Sequence, residues 1–163
     1  MPIAEDISLT ATQASPFEVP AFAGCTREWA VVLQAPTASD CAMAVRRAGE
    51  LPPFNVYLAR LCCERDIAPE CAFKRGGIER TYGYRIMRGE RNPSRNTAIM
   101  FAFGLGLAFP KVQDLLAAAR VAPLNPGVRR DAVIAWCLHR HKTFVAAQID
   151  LDGLGLPLLS NVR

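Results

Sequence analysis

Arginine and lysine are concentrated in one short stretch of the chain, where their chemistry would be the binding of a polyanion. The segment 74–95 holds seven bases against two acids, a net charge of +5, whereas the whole 163-residue chain carries +4. The rest of the chain is therefore slightly acidic. A charge run is more often a solvated face than a functional one, but this density is typical of a surface that attracts phosphates. The seven bases are Lys74, Arg75, Arg80, Arg85, Arg88, Arg91 and Arg95.

The cysteines and histidines do not have the spacing of a metal or catalytic site. Six cysteines include no Cys-x-x-Cys pair. On a helix Cys137 and His141 share a face while His139 points elsewhere, which suits three-point ligation poorly. No nucleophile stands at motif spacing from a histidine, and Gly104-Leu105-Gly106 lacks the third glycine of a dinucleotide loop. We expect no metal, no cofactor and no enzymatic activity.

The elements that position the basic segment are predicted to be helices. Half of the chain is apolar, 51%, and rich in Ala and Leu, which favours helices over strands. No apolar run is long enough for a membrane span. Acids at Glu5 and Asp6 stand where a secretory signal would need bases. We therefore expect an all-α, cytoplasmic protein with reduced cysteines and no membrane contact.

Capping residues, glycines and prolines predict where the helices begin and end. An irregular arm runs to about Gly24. A short helix is expected over 26–34, and a second one follows Ser39 and runs to about Ala48. Asn55 is expected to cap the next helix, with Tyr57, Leu58, Leu61 and Cys62 inward. Downstream of the basic segment we expect helices opened by Ser94, Pro110 and Thr143, a turn at Asn125-Pro126-Gly127, and a helix that carries Val133, Ile134, Cys137 and Leu138 inward.

Two short helices within the basic region have the proportions of a helix-turn-helix. Pro69 fits the first turn of one helix, which Gly76-Gly77 ends. Gly77 supplies the positive φ of the turn, Ile78 is buried between the helices, and a second helix runs over about 79–88 to Gly89. Its N-terminal half would meet base edges in the major groove. Arg80 and Arg85 are the expected readers, because arginine can pair bidentately with guanine.

The run from Gly77 to Arg95, with its Gly-Ile turn, basic loop and Pro93-Ser94 helix start, resembles the Xre family of phage-repressor-like regulators. Phe103-Gly104-Leu105-Gly106-Leu107 is similar to the closing helix and turn of that family. The resemblance implies a five-helix DNA-binding domain. It implies that Arg80, Thr81 and Arg85 read bases, and that Arg88, Arg91 and Arg95 hold phosphates. The remaining expected DNA contacts are Tyr82, Asn92, Lys74 and Arg75.

Segment 124–134 resembles an extra helical pair found in some small bacterial Xre-type proteins. We therefore expect an N-terminal extension over 1–52, a helix-turn-helix domain over 53–119, and a C-terminal helical pair over 120–163 packed on it. Double-stranded DNA is the expected partner of a sequence-specific transcriptional regulator. The apolar helices could also hold a protein partner or a second copy of the chain.

Three departures from the family pattern favour an alternative function. Ala72-Phe73 stands where the family has Leu-Ala, and Gly83 replaces a buried aliphatic residue. The polar residue that opens this helix in the family, and often bonds phosphate, is replaced near Ala68-Pro69. These changes would also suit a protein-interaction module on a repressor-like scaffold that has lost or weakened DNA binding. Salt-dependent binding to duplex DNA separates the two functions.

Overall fold

A computed structural model of the protein describes residues 35–48 and 51–160. Within these residues it has eight α-helices and no strand, which confirms the all-α expectation. The irregular arm and the helix predicted over 26–34 lie outside the described residues. The helices are α1 (Ala38–Ala48), α2 (Phe54–Glu64), α3 (Pro69–Gly76), α4 (Arg80–Met87), α5 (Arg95–Leu105), α6 (Phe109–Ala118), α7 (Arg129–His139) and α8 (Phe144–Gly153).

Several helix starts follow from the residues that precede them. Thr37 bonds to Asp40 at the start of α1, so that the helix begins at Ala38, before the start after Ser39 that the sequence predicts. Ser94 and Thr143 accept hydrogen bonds from the Thr97 and Ala146 amides and begin α5 and α8, as predicted. Such caps satisfy backbone N–H groups that have no partner inside the helix.

The expectation that Asn55 caps α2 is wrong. The capping position is Pro53, which makes no side-chain hydrogen bond to the helix, and Asn55 lies inside the first turn. The physical reason is the burial of Phe54, which is 4% exposed and packs against the Phe101 ring at 5.8 Å between centroids. Starting the helix at Phe54 buries that ring. Apolar packing therefore sets this boundary more strongly than a polar cap.

Helix α5 is the centre of the molecule, because every residue from Thr97 to Leu105 is buried. Helix α3 crosses it at close range. A Cβ atom on Gly104 would lie 2.1 Å from the Ala72 carbonyl oxygen, and one on Gly76 would lie 2.4 Å from the Met100 carbonyl oxygen. Only glycine at these positions lets the two backbones come this close.

The C-terminal helices share the core of α2–α6. Ile134, Cys137 and Leu138 of α7 are buried as predicted, whereas Val133 is only partly buried. The Asn125–Val128 turn forms with a hydrogen bond from the Val128 amide to the Asn125 carbonyl at 3.0 Å. One continuous cluster of buried side chains extends from α2 to the residues after α8.

Candidate nucleic-acid interface

Helices α3 and α4 form a short helix pair joined by three residues, 77–79. Gly77 has φ 68°, in the left-handed conformation that the sequence predicts, and Ile78 is buried at 7% exposure. Glu79 begins α4, because its carboxylate accepts hydrogen bonds from the Thr81 and Tyr82 amides at 2.8 and 2.7 Å. These two amide hydrogen bonds lower the pKa of Glu79. The first turn of α4 therefore carries a fixed anion at its start.

The unusual residues Phe73 and Gly83 fit each other. The Phe73 ring lies directly over Gly83, so that a Cβ atom there would come within 2.9 Å of three ring atoms. The same ring meets Tyr84 edge-on at 5.2 Å and Phe101 at 5.9 Å between centroids. A large residue on α3 and a missing side chain on α4 thus fill one space. Neither departure opens the core.

The predicted base readers lie on α4 with exposed ends. The Arg80 and Arg85 side chains are 72% and 46% exposed. Thr81 is exposed and Tyr82 is partly buried against the core. Buried Ile86 fixes the opposite face of the helix. The amphipathic pattern therefore turns Arg80, Thr81 and Arg85 outward from one rigid helix.

An acidic residue that sequence reasoning missed braces the two helices. Glu70, in the first turn of α3, accepts from the Arg80 guanidinium and from the Tyr84 hydroxyl, each at 2.7 Å. The hydrogen bond to Glu70 raises the pKa of Tyr84, because it stabilises the protonated phenol. Arg80 also lies over the Tyr84 ring at 5.8 Å. No spacing in the sequence indicates this brace, since it depends on the angle of the Gly77 turn.

A second acid partly neutralises the far end of α4. Glu90 bonds to Arg88 at 2.5 Å and lies 3.6 Å from Arg85. Its hydrogen bond with Arg88 lowers the pKa of Glu90 and raises that of Arg88. The exposed arginines of α4 are therefore held in acid-paired positions, which orients their guanidinium groups. A phosphate that approaches them competes with Glu90.

The other expected contacts lie at the two ends of the helix pair. Lys74 and Arg75 are exposed in the last turn of α3. Their positive charges stabilise the helix there, because they lie near the negative end of its dipole. Arg91 and Asn92 are exposed in the loop after Gly89. That loop borders a cleft of about 270 Å³ shared with Asn55 and Arg120. Of the seven basic residues predicted to contact DNA phosphates or nucleobases, six are exposed.

Arg95 is the exception, because its hydrogen bonds point into the protein. Its Nη1 and Nη2 atoms bond the Asp131 carboxylate at 3.1 and 2.7 Å, and Nε and Nη2 also bond the carbonyls of Ala122 and Pro123. Burial would raise the pKa of Asp131, but hydrogen bonds from Arg95 and the Asn125 amide outweigh it and lower that pKa. Arg95 therefore ties α5 to α7, and its guanidinium is occupied by contacts inside the protein.

The cysteine and histidine residues near the end of α7 are not brought together as ligands. Among residues 35–48 and 51–160, no group of three His, Cys, Asp or Glu side chains could hold a metal ion. Cys137 is buried, and burial together with a hydrogen bond to Asp150 raises its pKa to about 11. The thiol is therefore protonated at neutral pH and is a poor nucleophile.

Comparisons of the chain with protein-family models, with curated proteins and with solved structures found no match. In the part of the chain that the structure describes, no helix is both long and apolar enough to cross a membrane.

Proposed function

We propose that the protein is a sequence-specific transcriptional regulator of the Xre type, which acts on double-stranded DNA inside the cell. The observation that carries this proposal is the α3–α4 pair. Two eight-residue helices are joined by a turn with a left-handed Gly77. The second helix is anchored by the buried side chain of Ile86 and presents exposed arginines on its outer side. A short helix, a glycine turn and a helix with outward basic residues are the parts that a major-groove reader needs.

The contacts divide by position. Arg80, Thr81 and Arg85 project from α4, which would lie in the major groove, so they read base edges. Lys74, Arg75, Arg88, Arg91 and Asn92 lie at the ends of the pair and contact the phosphate backbone. Tyr82 supports the helix from its partly buried side. Phosphate contacts position the protein, whereas base contacts give it specificity.

The test is a set of titrations against preferred and random duplexes at several salt concentrations, after selection of a preferred site from a random pool. Arg85→Ala should weaken binding to the preferred site by about 1–3 kcal/mol and leave random duplexes almost unaffected. Arg91→Ala should weaken all duplexes alike and lower the salt slope by about one. Arg60→Ala, at an exposed arginine of α2, removes the same charge outside the segment 74–95 and is the control.

Two results would contradict this assignment. Equal effects of Arg85→Ala and Arg91→Ala on every duplex would remove the division between readers and phosphate contacts. Failure of the unaltered protein to bind any duplex at low salt would reject DNA binding altogether. In that case the second candidate, a protein-interaction module, becomes the better function. The observation that favours it is the exposed apolar surface of α7 and α8.

A further inference from the structure

Two arginines meet in a cleft where the start of α2, the loop after α4 and the end of α6 come together. The cleft has a volume of about 270 Å³. Its lining includes the buried side chains of Ile86 and Ala118 and the exposed residues Arg91 and Arg120. Ligand sites commonly have volumes of about 300–1,000 Å³, so a cleft of this size suits a small occupant. We call it the α2–α6 cleft.

The two arginines of this cleft have no acid to neutralise them. Each arginine between residues 80 and 95 other than Arg91 has a carboxylate oxygen at 3.6 Å or closer. Arg91 and Arg120 have no ion-pair partner among residues 35–48 and 51–160, and no described residue that lines the cleft is Asp or Glu. Two positive charges that share a cleft repel each other, and a bound anion offsets that repulsion. The charges therefore favour an anion with more than one negative charge.

Neutral donors complete the lining of the cleft. Asn55 and Asn92 both line it, and their side-chain amides can donate hydrogen bonds. Gly89 makes room for one of them, because a Cβ atom on Gly89 would lie 3.1 Å from Asn55 Nδ2. Helix α2 begins after Pro53 with no side-chain cap and no acid in its first turn, so its positive end is not neutralised there. These groups add to the arginines in attracting the oxygen atoms of an anion.

Arg120 has a backbone conformation that glycine adopts more easily. Its φ is 56°, and it follows α6 at the position where many helices end with glycine. The Arg120 and Val121 amides bond the Ala117 and Leu116 carbonyls at 2.9 and 3.1 Å, which closes the helix end. Because glycine has no Cβ atom to disfavour a positive φ, Arg120→Gly removes the guanidinium and leaves this turn intact. The chain thus offers a variant that separates binding from folding.

We propose that the α2–α6 cleft binds a small phosphate monoester, with Arg91 and Arg120 on its phosphate group. A guanidinium pairs with phosphate oxygens through two parallel hydrogen bonds. A phosphate monoester carries a charge of about −1.5 to −2 at pH 7, whereas a phosphodiester of the DNA backbone carries −1. Two arginines in one cleft therefore prefer the monoester. If the protein binds DNA as proposed above, a bound monoester also draws Arg91 away from the DNA backbone.

The first experiment is a calorimetric titration of the full chain with glycerol 3-phosphate, without DNA and at constant ionic strength. One molecule should bind per chain, and dimethyl phosphate, a singly charged diester, should bind at least tenfold more weakly. Arg91→Ala and Arg120→Gly should each weaken the binding of glycerol 3-phosphate at least tenfold, and Arg120→Gly should not lower the thermal midpoint.

Two control variants match these changes outside the cleft. His141→Gly makes the same replacement at another helix end with a positive φ, and Arg60→Ala removes an exposed arginine of α2. Both should bind glycerol 3-phosphate as the unaltered protein does. No heat of binding at millimolar glycerol 3-phosphate, equal binding of dimethyl phosphate, or full affinity in Arg120→Gly would each overturn the proposal. Because no duplex is present, these results do not depend on whether the protein binds DNA.

The second experiment tests the link to DNA, which rests on the proposed function. Saturating glycerol 3-phosphate should weaken duplex binding by the unaltered protein, at constant ionic strength. Arg120→Gly should bind the duplex with the affinity of the unaltered protein and should not respond to the ester. Equal responses of the two proteins to the ester would overturn the link, whereas failure of both to bind any duplex would reject the proposed function and leave the calorimetric result standing.

Discussion

Phe73 and Gly83 show how single residues can depart from a pattern without harm to the fold. Taken one at a time, the two departures favour lost or weakened DNA binding, because one residue is larger and the other smaller than the family pattern has. In the structure the Phe73 ring occupies the space that a side chain on Gly83 would need. Sequence reasoning could not find this compensation, since the two positions are ten residues apart and meet only across the Gly77 turn.

The two positions should therefore be energetically coupled. In the unaltered protein Gly83→Ala places a methyl group against the Phe73 ring, and overpacking of this kind costs about 1–3 kcal/mol of the free energy of unfolding. In a Phe73→Ala background the space is open, and the same change should stabilise the protein by about 0.5–1 kcal/mol through helix propensity. Urea denaturation of the four proteins measures the difference. Equal effects of Gly83→Ala in both backgrounds would contradict the coupling.

At the scale of elements, the helices fall into two groups by how their boundaries can be predicted. Pro69, Ser94, Thr143 and Gly77 act through local backbone chemistry, so that their helices begin and end where the sequence indicates. The start of α2 does not, because a buried aromatic contact sets it. The role of Arg95 is likewise set by contacts distant in sequence. Its place in the basic run predicts a phosphate contact, whereas its hydrogen bonds join α5 to α7.

The junction between α5 and α7 gives a prediction about pH. Asp131 is 6% exposed and its pKa is lowered in the folded protein. Its ionised form therefore stabilises the fold above the unfolded pKa, about 3.9, and this contribution is lost as the pH falls through the folded value. Asp131→Asn leaves Arg95 without its anion and should lower the free energy of unfolding at pH 7 by about 3 kcal/mol.

Urea denaturation across a pH series measures this contribution. The difference between the unaltered protein and Asp131→Asn should shrink as the pH falls below about 4. Asp114→Asn, on the exposed side of α6, is the matched control and should change stability by less than about 0.5 kcal/mol at pH 7. A difference for Asp131→Asn that is the same at pH 7 and pH 3 would show that the carboxylate charge does not matter.

At the scale of the whole molecule, the C-terminal pair is connected to the candidate DNA-binding helices by more than a shared core. A Cβ atom on Gly77 would lie 2.4 Å from the nearest atom of the Phe144 ring. The same ring also packs on Phe103, at 6.3 Å between centroids. The helix α8 therefore contacts the turn that sets the angle between α3 and α4. Glycine at 77 serves both the positive φ and this close contact, and only the first can be predicted from sequence.

Polar clamps reinforce the same connection. Gln113 of α6 bonds both backbone groups of Leu124, and Arg130 of α7 bonds Asn96 of α5. Gln148 of α8 is buried and holds the segment after it through Leu159 and Ser160. The sequence predicts the helices but not these joints, because the partners are far apart along the chain. We infer that residues 54–160 unfold as one unit rather than as a domain and an appendage.

Trp136 on α7 offers a direct probe of that inference, in a Trp29→Phe background that leaves it as the single tryptophan. Its fluorescence and the far-ultraviolet circular dichroism of all helices should report the same urea midpoint, since one core connects them. Phe144→Ala should cost about 3–5 kcal/mol and move both midpoints together. Protein concentration must be held fixed, because self-association would shift the midpoints. If the fluorescence changed at lower urea while most helical signal remained, α7 and α8 would unfold as a separate unit. Their contact with the Gly77 turn would then contribute little to the stability of α3 and α4.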